Sequence, residues 1–226
     1  MPCALCGDII PREIARCPHC GAWARRRDFR AVGVAVFMLL GFNAFVALAA
    51  GISLLRVMAP LRTDTHDTYD PVVTAATLKP YADMFVICAV LAGLTGFLYL
   101  GWLWRAHRQA PGPQSRHRAW VVFGWLCPFV NLWLPPRMVY EVWVNSGRYR
   151  TTERQFAGLV VAGWWGCALM AALLARLFTV GSLDTLSDAR FDVGLGVAAA
   201  ACLALAAALC MVPVYQITRL QVLSDR

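Results

Sequence analysis

Apolar residues fall into long blocks along this 226-residue chain, parted by short charged segments. Four of the blocks, 31–55, 83–104, 156–178 and 193–217, are long enough to cross a bilayer, which takes about 20 apolar residues. Each predicts a transmembrane helix. A fifth run, 119–134, is shorter, carries Pro128 near its middle and stops at Pro135-Pro136. At about 1.5 Å per residue it would reach roughly 24 Å, short of the roughly 30 Å hydrocarbon core.

The next segment, 137–146, reads as an amphipathic helix. Arg137, Glu141 and Asn145 recur every fourth position, with Arg148 three further on, while Met138, Val139, Val142 and Trp143 share the opposite side. Such a helix, with an Arg137–Glu141 pair on its wet face and Gly147 as its stop, suits the inner leaflet. An ordinary surface helix of a connecting loop is the alternative. The last two blocks carry small residues every fourth position, Gly163, Cys167, Ala171 and Ala175 in one and Gly196, Ala200, Ala204 and Ala208 in the other. Ladders of this kind let helix backbones approach closely, within one chain or between copies, so a homo-oligomer stays open.

Composition agrees with membrane organisation: 59% of residues are hydrophobic and only 15% charged, against about a quarter charged in ordinary soluble domains. The fold class expected is an all-α integral membrane protein, and its first block, lacking a cleavage site, is expected to stay as an anchor. Net charge is +8, from 20 Arg and the single Lys79, and the arginines flank apolar blocks instead of forming one patch. Membrane lipids explain this placement better than nucleic acid. Few lysines beside abundant alanine suggest a GC-rich bacterial genome and a bacterial cell membrane.

Arginine placement also bears on the fifth run. With four crossings and both termini cytoplasmic, inside segments hold sixteen basic residues against five outside, whereas a fifth crossing brings the two sides to about even. We therefore expect 119–134 to be re-entrant from the inner side or interfacial, with Trp120, Trp125 and Trp133 at headgroup level.

Chemistry concentrates in the first 20 residues. Cys3-Ala4-Leu5-Cys6 and Cys17-Pro18-His19-Cys20 are two C-x2-C knuckles ten residues apart. Four thiolates presented by two short turns close a tetrahedron about zinc and leave no position for water, so the expected cofactor is structural Zn2+, with iron as the alternative. A segment of this size buries too little apolar surface to fold alone, so its fold should depend on the metal. His19 is expected to be a spectator. The other five cysteines, Cys88, Cys127, Cys167, Cys202 and Cys210, lie in apolar stretches and read as small hydrophobes. The expected organisation is a zinc ribbon over 1–24, a basic linker over 25–30 and a membrane domain over 31–226. The head resembles the short zinc ribbons at the N-termini of many bacterial membrane proteins, which implies a cytoplasmic protein-interaction or sensing module.

The membrane part carries its own motif, Gly124-Trp125-Leu126-Cys127-Pro128-Phe129-Val130-Asn131-Leu132-Trp133-Leu134-Pro135, continued by Glu141-Val142-Trp143. Together with Leu98-Tyr99-Leu100-Gly101-Trp102 upstream and Trp164-Trp165 downstream, it resembles the bacterial membrane family known as domain of unknown function 4328, over about 81–217. Leu134 stands where that pattern has a basic residue, and Cys127 is an unusual neighbour for the proline. The resemblance implies architecture and leaves activity open.

Within the motif, Trp125, Pro128, Asn131, Trp133 and Pro135 are the candidate structural or ligand-contacting residues. Asn131 is an amide in an apolar run and needs partners, either backbone groups freed by Pro128 or a ligand. Asn43 in the first block raises the same question. The loop from Thr63 to Asp70, with His66 and Asp67, reads as solvated because no second cluster completes a cation site. No serine–histidine–acid set, HExxH or phosphate loop occurs in the sequence, so no catalytic residue is assigned. The expectation is a non-enzymatic membrane protein whose ribbon docks a protein partner. The alternative is a small transporter or channel-like protein that uses the proline-broken 119–136 segment.

Overall fold

A computed structural model of the chain describes residues 6, 8, 9, 17–19, 27–63, 69–110, 119–127, 129–147, 149, 151–181 and 183–223. The described residues form six α-helices: α1 (Arg27–Thr63), α2 (Pro71–Gln109), α3 (Trp120–Leu126), α4 (Leu134–Asn145), α5 (Thr151–Val180) and α6 (Leu186–Leu223). Four of these, α1, α2, α5 and α6, are long and apolar enough to cross a membrane. Each contains one of the four predicted blocks and extends past it by one to several turns, because hydropathy marks the hydrocarbon slab while caps mark the helix.

The caps are explicit. Asp70 accepts from the backbone N–H groups of Val72 and Val73 at 2.8 and 3.3 Å, ahead of Pro71 in the first turn of α2. Before α6, Thr185 and Asp188 exchange bonds reciprocally: the Thr185 N–H donates to Asp188 Oδ2 and the Asp188 N–H to Thr185 Oγ1, both at 3.2 Å. That is a capping box, and it stops the α5–α6 turn from fraying.

α6 lies against both α1 and α5. Close approach of α1 and α6 depends on glycines: a Cβ on Gly33 would lie 2.5 Å from the Thr218 hydroxyl, and one on Gly51 would lie 3.2 Å from Ala200. Gly196 likewise has Leu54 and Phe178 against it. The ladder residues Gly196, Ala200 and Ala204 are thus buried inside the chain's own bundle, whereas Ala208 is exposed. Pairs that met between copies would not show this. Away from these seams the helices present apolar surface outward, as with Met38, Phe45 and Ile52 on α1 and Ile87, Leu94 and Phe97 on α2. Apolar exposure on that scale belongs to lipid contact.

α2 and α5 run antiparallel, Phe85 packing on Phe178 near one end and Tyr99 on Trp164 towards the other. The end of α2 and the start of α5 therefore lie at the same end of the bundle, beside the start of α1. We refer to it as the near end, and to the opposite one as the far end. Ala110 and Thr151 both lie at the near end, and the described residues between them form no fifth long apolar helix.

α3, a 3-10 turn (Val130–Leu132) and α4 form this insertion, wedged between α2 and α5. Pro135 and Pro136, where the apolar run ends, open α4, which begins at Leu134 and not at 137; a proline costs nothing there because first-turn N–H groups have no intrahelical partner. The apolar side of α4, Met138, Val139, Val142 and Trp143, does not lie on lipid but is buried in the bundle core. Its Arg137–Glu141 face is as read, with Arg137 Nε 3.4 Å from Glu141 Oε1.

Candidate functional site

The residues of the membrane motif, far apart in sequence, converge on Tyr99. Its ring packs against Trp102, Trp125 and Trp164, with centroids 5.4, 6.3 and 5.9 Å away. Trp165 closes the group, edge-on to Trp125 at 5.3 Å and to Trp164 at 5.4 Å. Such tilted contacts are the favoured aromatic geometries. The cluster sits where α2, α3 and α5 meet, and Phe29 of α1 stacks on Trp102 at 6.4 Å.

Two indole N–H groups in the cluster tie elements together. Trp102 Nε1 donates to Thr218 Oγ1 on α6 at 3.1 Å. Trp165 Nε1 donates to the Leu132 carbonyl at 2.8 Å and so pins the inserted segment to the mid-point of α5. Trp165 lies 14 residues past the start of α5, about 21 Å along the axis. Trp125 is half-buried in the aromatic cluster, a contact that the sequence reading did not foresee. Trp133, Phe129 and Leu132 at the turn remain exposed.

Pro128 lies outside the described residues. Across that position the Asn131 N–H donates to the Cys127 carbonyl at 2.8 Å, so the break is closed by main chain. The Asn131 side-chain oxygen is buried without a hydrogen-bond partner among the described residues, and the expected capture of freed backbone groups by that oxygen is not made. Pro135 is buried in the first turn of α4. The Tyr99 hydroxyl also has no hydrogen-bonding nitrogen or oxygen among the described residues.

Asn43 meets a partner that sequence did not suggest. Its Nδ2 donates to Thr95 Oγ1 at 2.8 Å and to the Leu39 carbonyl at 2.7 Å, while Thr95 Oγ1 donates to the Leu91 carbonyl at 2.8 Å. This buried polar link joins α1 to α2. At the near end Gln221 Nε2 donates to the Ala106 carbonyl at 3.0 Å and to Ser146 Oγ at 2.9 Å, latching α6 to the ends of α2 and α4. Beside it Trp143 Nε1 donates to the Tyr149 hydroxyl at 2.9 Å. Burial raises the Tyr149 phenol above its ordinary range, against the lowering bond from Trp143.

Of the four N-terminal cysteines, Cys6 and Cys17 are described, and Cys3 and Cys20 lie outside the described residues. Cys6 Sγ and Cys17 Sγ are 3.5 Å apart across eleven residues, with no disulfide between them. One described cysteine of each C-x2-C pair thus lies beside one of the other. Only two of the four lie among the described residues, and no cluster of three ligating side chains occurs there.

Four apolar crossings with an inserted, tryptophan-pinned segment define a multi-pass helical membrane protein. The chain belongs to the family described as Domain of unknown function (DUF4328), whose model matches residues 63–219. That span holds α2 to α5 and most of α6, including the whole aromatic cluster except Phe29. No curated protein and no solved structure matches the chain.

Proposed function

We propose that this is a non-enzymatic protein of a bacterial cell membrane whose cytoplasmic N-terminal head, a zinc ribbon, docks a protein partner while the helix bundle anchors it. The observation that carries this reading is the 3.5 Å approach of Cys6 Sγ to Cys17 Sγ. Cys3, Cys6, Cys17 and Cys20 would hold the ion. Bound zinc would supply folding free energy to the head and no reaction chemistry, since a closed four-thiolate site leaves no open coordination position.

Geometry supports docking close to the membrane. Six residues separate Cys20 from the start of α1 at Arg27, which limits the head to about 20 Å from the near end even when extended. There α4 and the Gln221 latch fix the ends of three helices, giving the head a rigid platform. The inserted segment, re-entrant from the cytoplasmic side in this reading, completes that platform.

Affinity capture from native membranes tests the proposal, comparing the native chain with Cys17→Ser/Cys20→Ser at matched expression. Partners lost in the double variant support docking through the ribbon; an unchanged partner set contradicts it. A second reading, a small transporter, draws on the buried, unpartnered Asn131 oxygen. It requires solute uptake in reconstituted vesicles that Asn131→Leu abolishes, and uptake indifferent to that change removes it.

A further inference from the structure

At the far end, a pocket of about 300 Å³ opens between the last turn of α5 and the first turns of α6. Its walls include Leu177, Gly181, Asp188, Phe191, Asp192 and Leu195. Asp192 is only 5% exposed, yet no described group donates a hydrogen bond to its carboxylate. A buried carboxylate without a donor is costly unless something positive meets it.

The surroundings raise that need. Asp188, one turn earlier on the same face, already accepts from Thr185 and cannot neutralise Asp192. Arg190, two residues earlier, is turned to α1, where its Nε donates to the Leu61 carbonyl at 2.8 Å and its Nη2 lies 3.5 Å from the Arg62 carbonyl. The Asp192 carboxylate rests on Gly181, in the space that any side chain there would occupy. It therefore sits at the C-terminal end of α5, whose last carbonyls add partial negative charge. The same field reaches Tyr69, whose phenol is raised by burial first and then by Asp188, Asp184 and Asp70.

A cation would meet that charge, and the walls indicate which kind. Two carboxylates fall well short of the oxygen cage a calcium ion takes, and no third acidic, histidine or cysteine ligand joins them among the described residues. Leu177, Phe191 and Leu195 instead offer apolar and aromatic surface, which favours an ammonium carried on a hydrophobic body. We propose that this pocket binds a protonated organic amine, its ammonium held by Asp192 and Asp188 and its apolar part by Leu177, Phe191 and Leu195.

Calorimetric titration of the full-length chain in lipid nanodiscs with 2-phenylethylammonium tests this, with 2-phenylethanol as neutral match and magnesium chloride as competitor. The expected result is saturable binding of the amine, weaker by about tenfold or more for the alcohol and for Asp192→Asn. Leu177→Trp, which fills the pocket from an exposed helix face, should abolish binding even if Asp192→Asn does not fold. Four results each overturn the proposal: no saturable binding by the native chain, equal binding of the alcohol, native-like binding by Leu177→Trp or by a folded Asp192→Asn, or displacement by equimolar magnesium, which would make the site a metal site.

Discussion

Replacing Trp165 by Phe keeps an aromatic ring beside Trp125 and Trp164 but removes the N–H that the Leu132 carbonyl accepts at 2.8 Å. An acceptor left without a partner in apolar surroundings costs about 1–3 kcal/mol, whereas side-chain hydrogen bonds between membrane helices average about 0.6 and reach about 1.7 kcal/mol. Because Trp165 is largely buried and the bond joins a broken segment to a continuous helix, we take about 1–2 kcal/mol. That raises the population with the inserted segment detached by a factor of about 5–30. Val121 of α3, fully buried in the bundle, reports the detachment when replaced by cysteine in a Cys127→Ala background. In sealed vesicles a maleimide should modify Val121→Cys about 5–30 times faster with Trp165→Phe than without it. The same background without Val121→Cys corrects for the remaining cysteines. A rate changed by less than twofold would refute the pinning role of Trp165.

Three further outcomes follow from the same contacts. A double-mutant cycle of Asn43→Leu and Thr95→Val, read by thermal unfolding in detergent, should give a coupling of about 0.6–1.7 kcal/mol, and additive losses would deny the link between α1 and α2. Gly33→Val should destabilise by about 1–3 kcal/mol, since its side chain must displace Thr218 and with it the bond from Trp102; an unchanged unfolding temperature would contradict the close approach. The raised Tyr149 phenol favours its neutral form in the folded protein. Its contribution is fully present below the ordinary tyrosine pKa of about 10 and is lost as pH rises through the folded value, so Tyr149→Phe should flatten the alkaline end of the stability profile. A profile as steep as native would count against this.

Much of this architecture was legible in the residues, and what was not has physical causes. The 3.6-residue period of 137–146 correctly separated Arg137 and Glu141 from Met138, Val139, Val142 and Trp143. It could not say what covers the second group, because lipid and protein interior are equally apolar to a pattern. Pro135-Pro136 end the apolar run, which puts the expected helix start at 137; a first turn tolerates both prolines, and α4 begins three residues earlier, at Leu134. Trp125 read as an interfacial anchor, and its contact with Tyr99 and Trp165 appears only with the antiparallel run of α2 and α5. Thr95 is an isolated polar residue in an apolar block, and Thr218 and Gln221 lie just past the last one. Each takes part in a polar link between helices, and a lone polar side chain at such a position is the signal that could find them. Asp192 stands just ahead of the 193–217 block and carries no signal in the sequence; its burial appears only when the end of α5 closes over it.

Everything assigned to the N-terminal head depends on one bound metal, and native mass spectrometry of the full-length chain released from its membranes weighs it directly. The expected result is a single zinc per chain, absent from Cys6→Ser/Cys17→Ser, the pair whose sulfurs approach to 3.5 Å. A native chain that carries no metal, or a double variant that retains it, would contradict the zinc ribbon and with it the docking role.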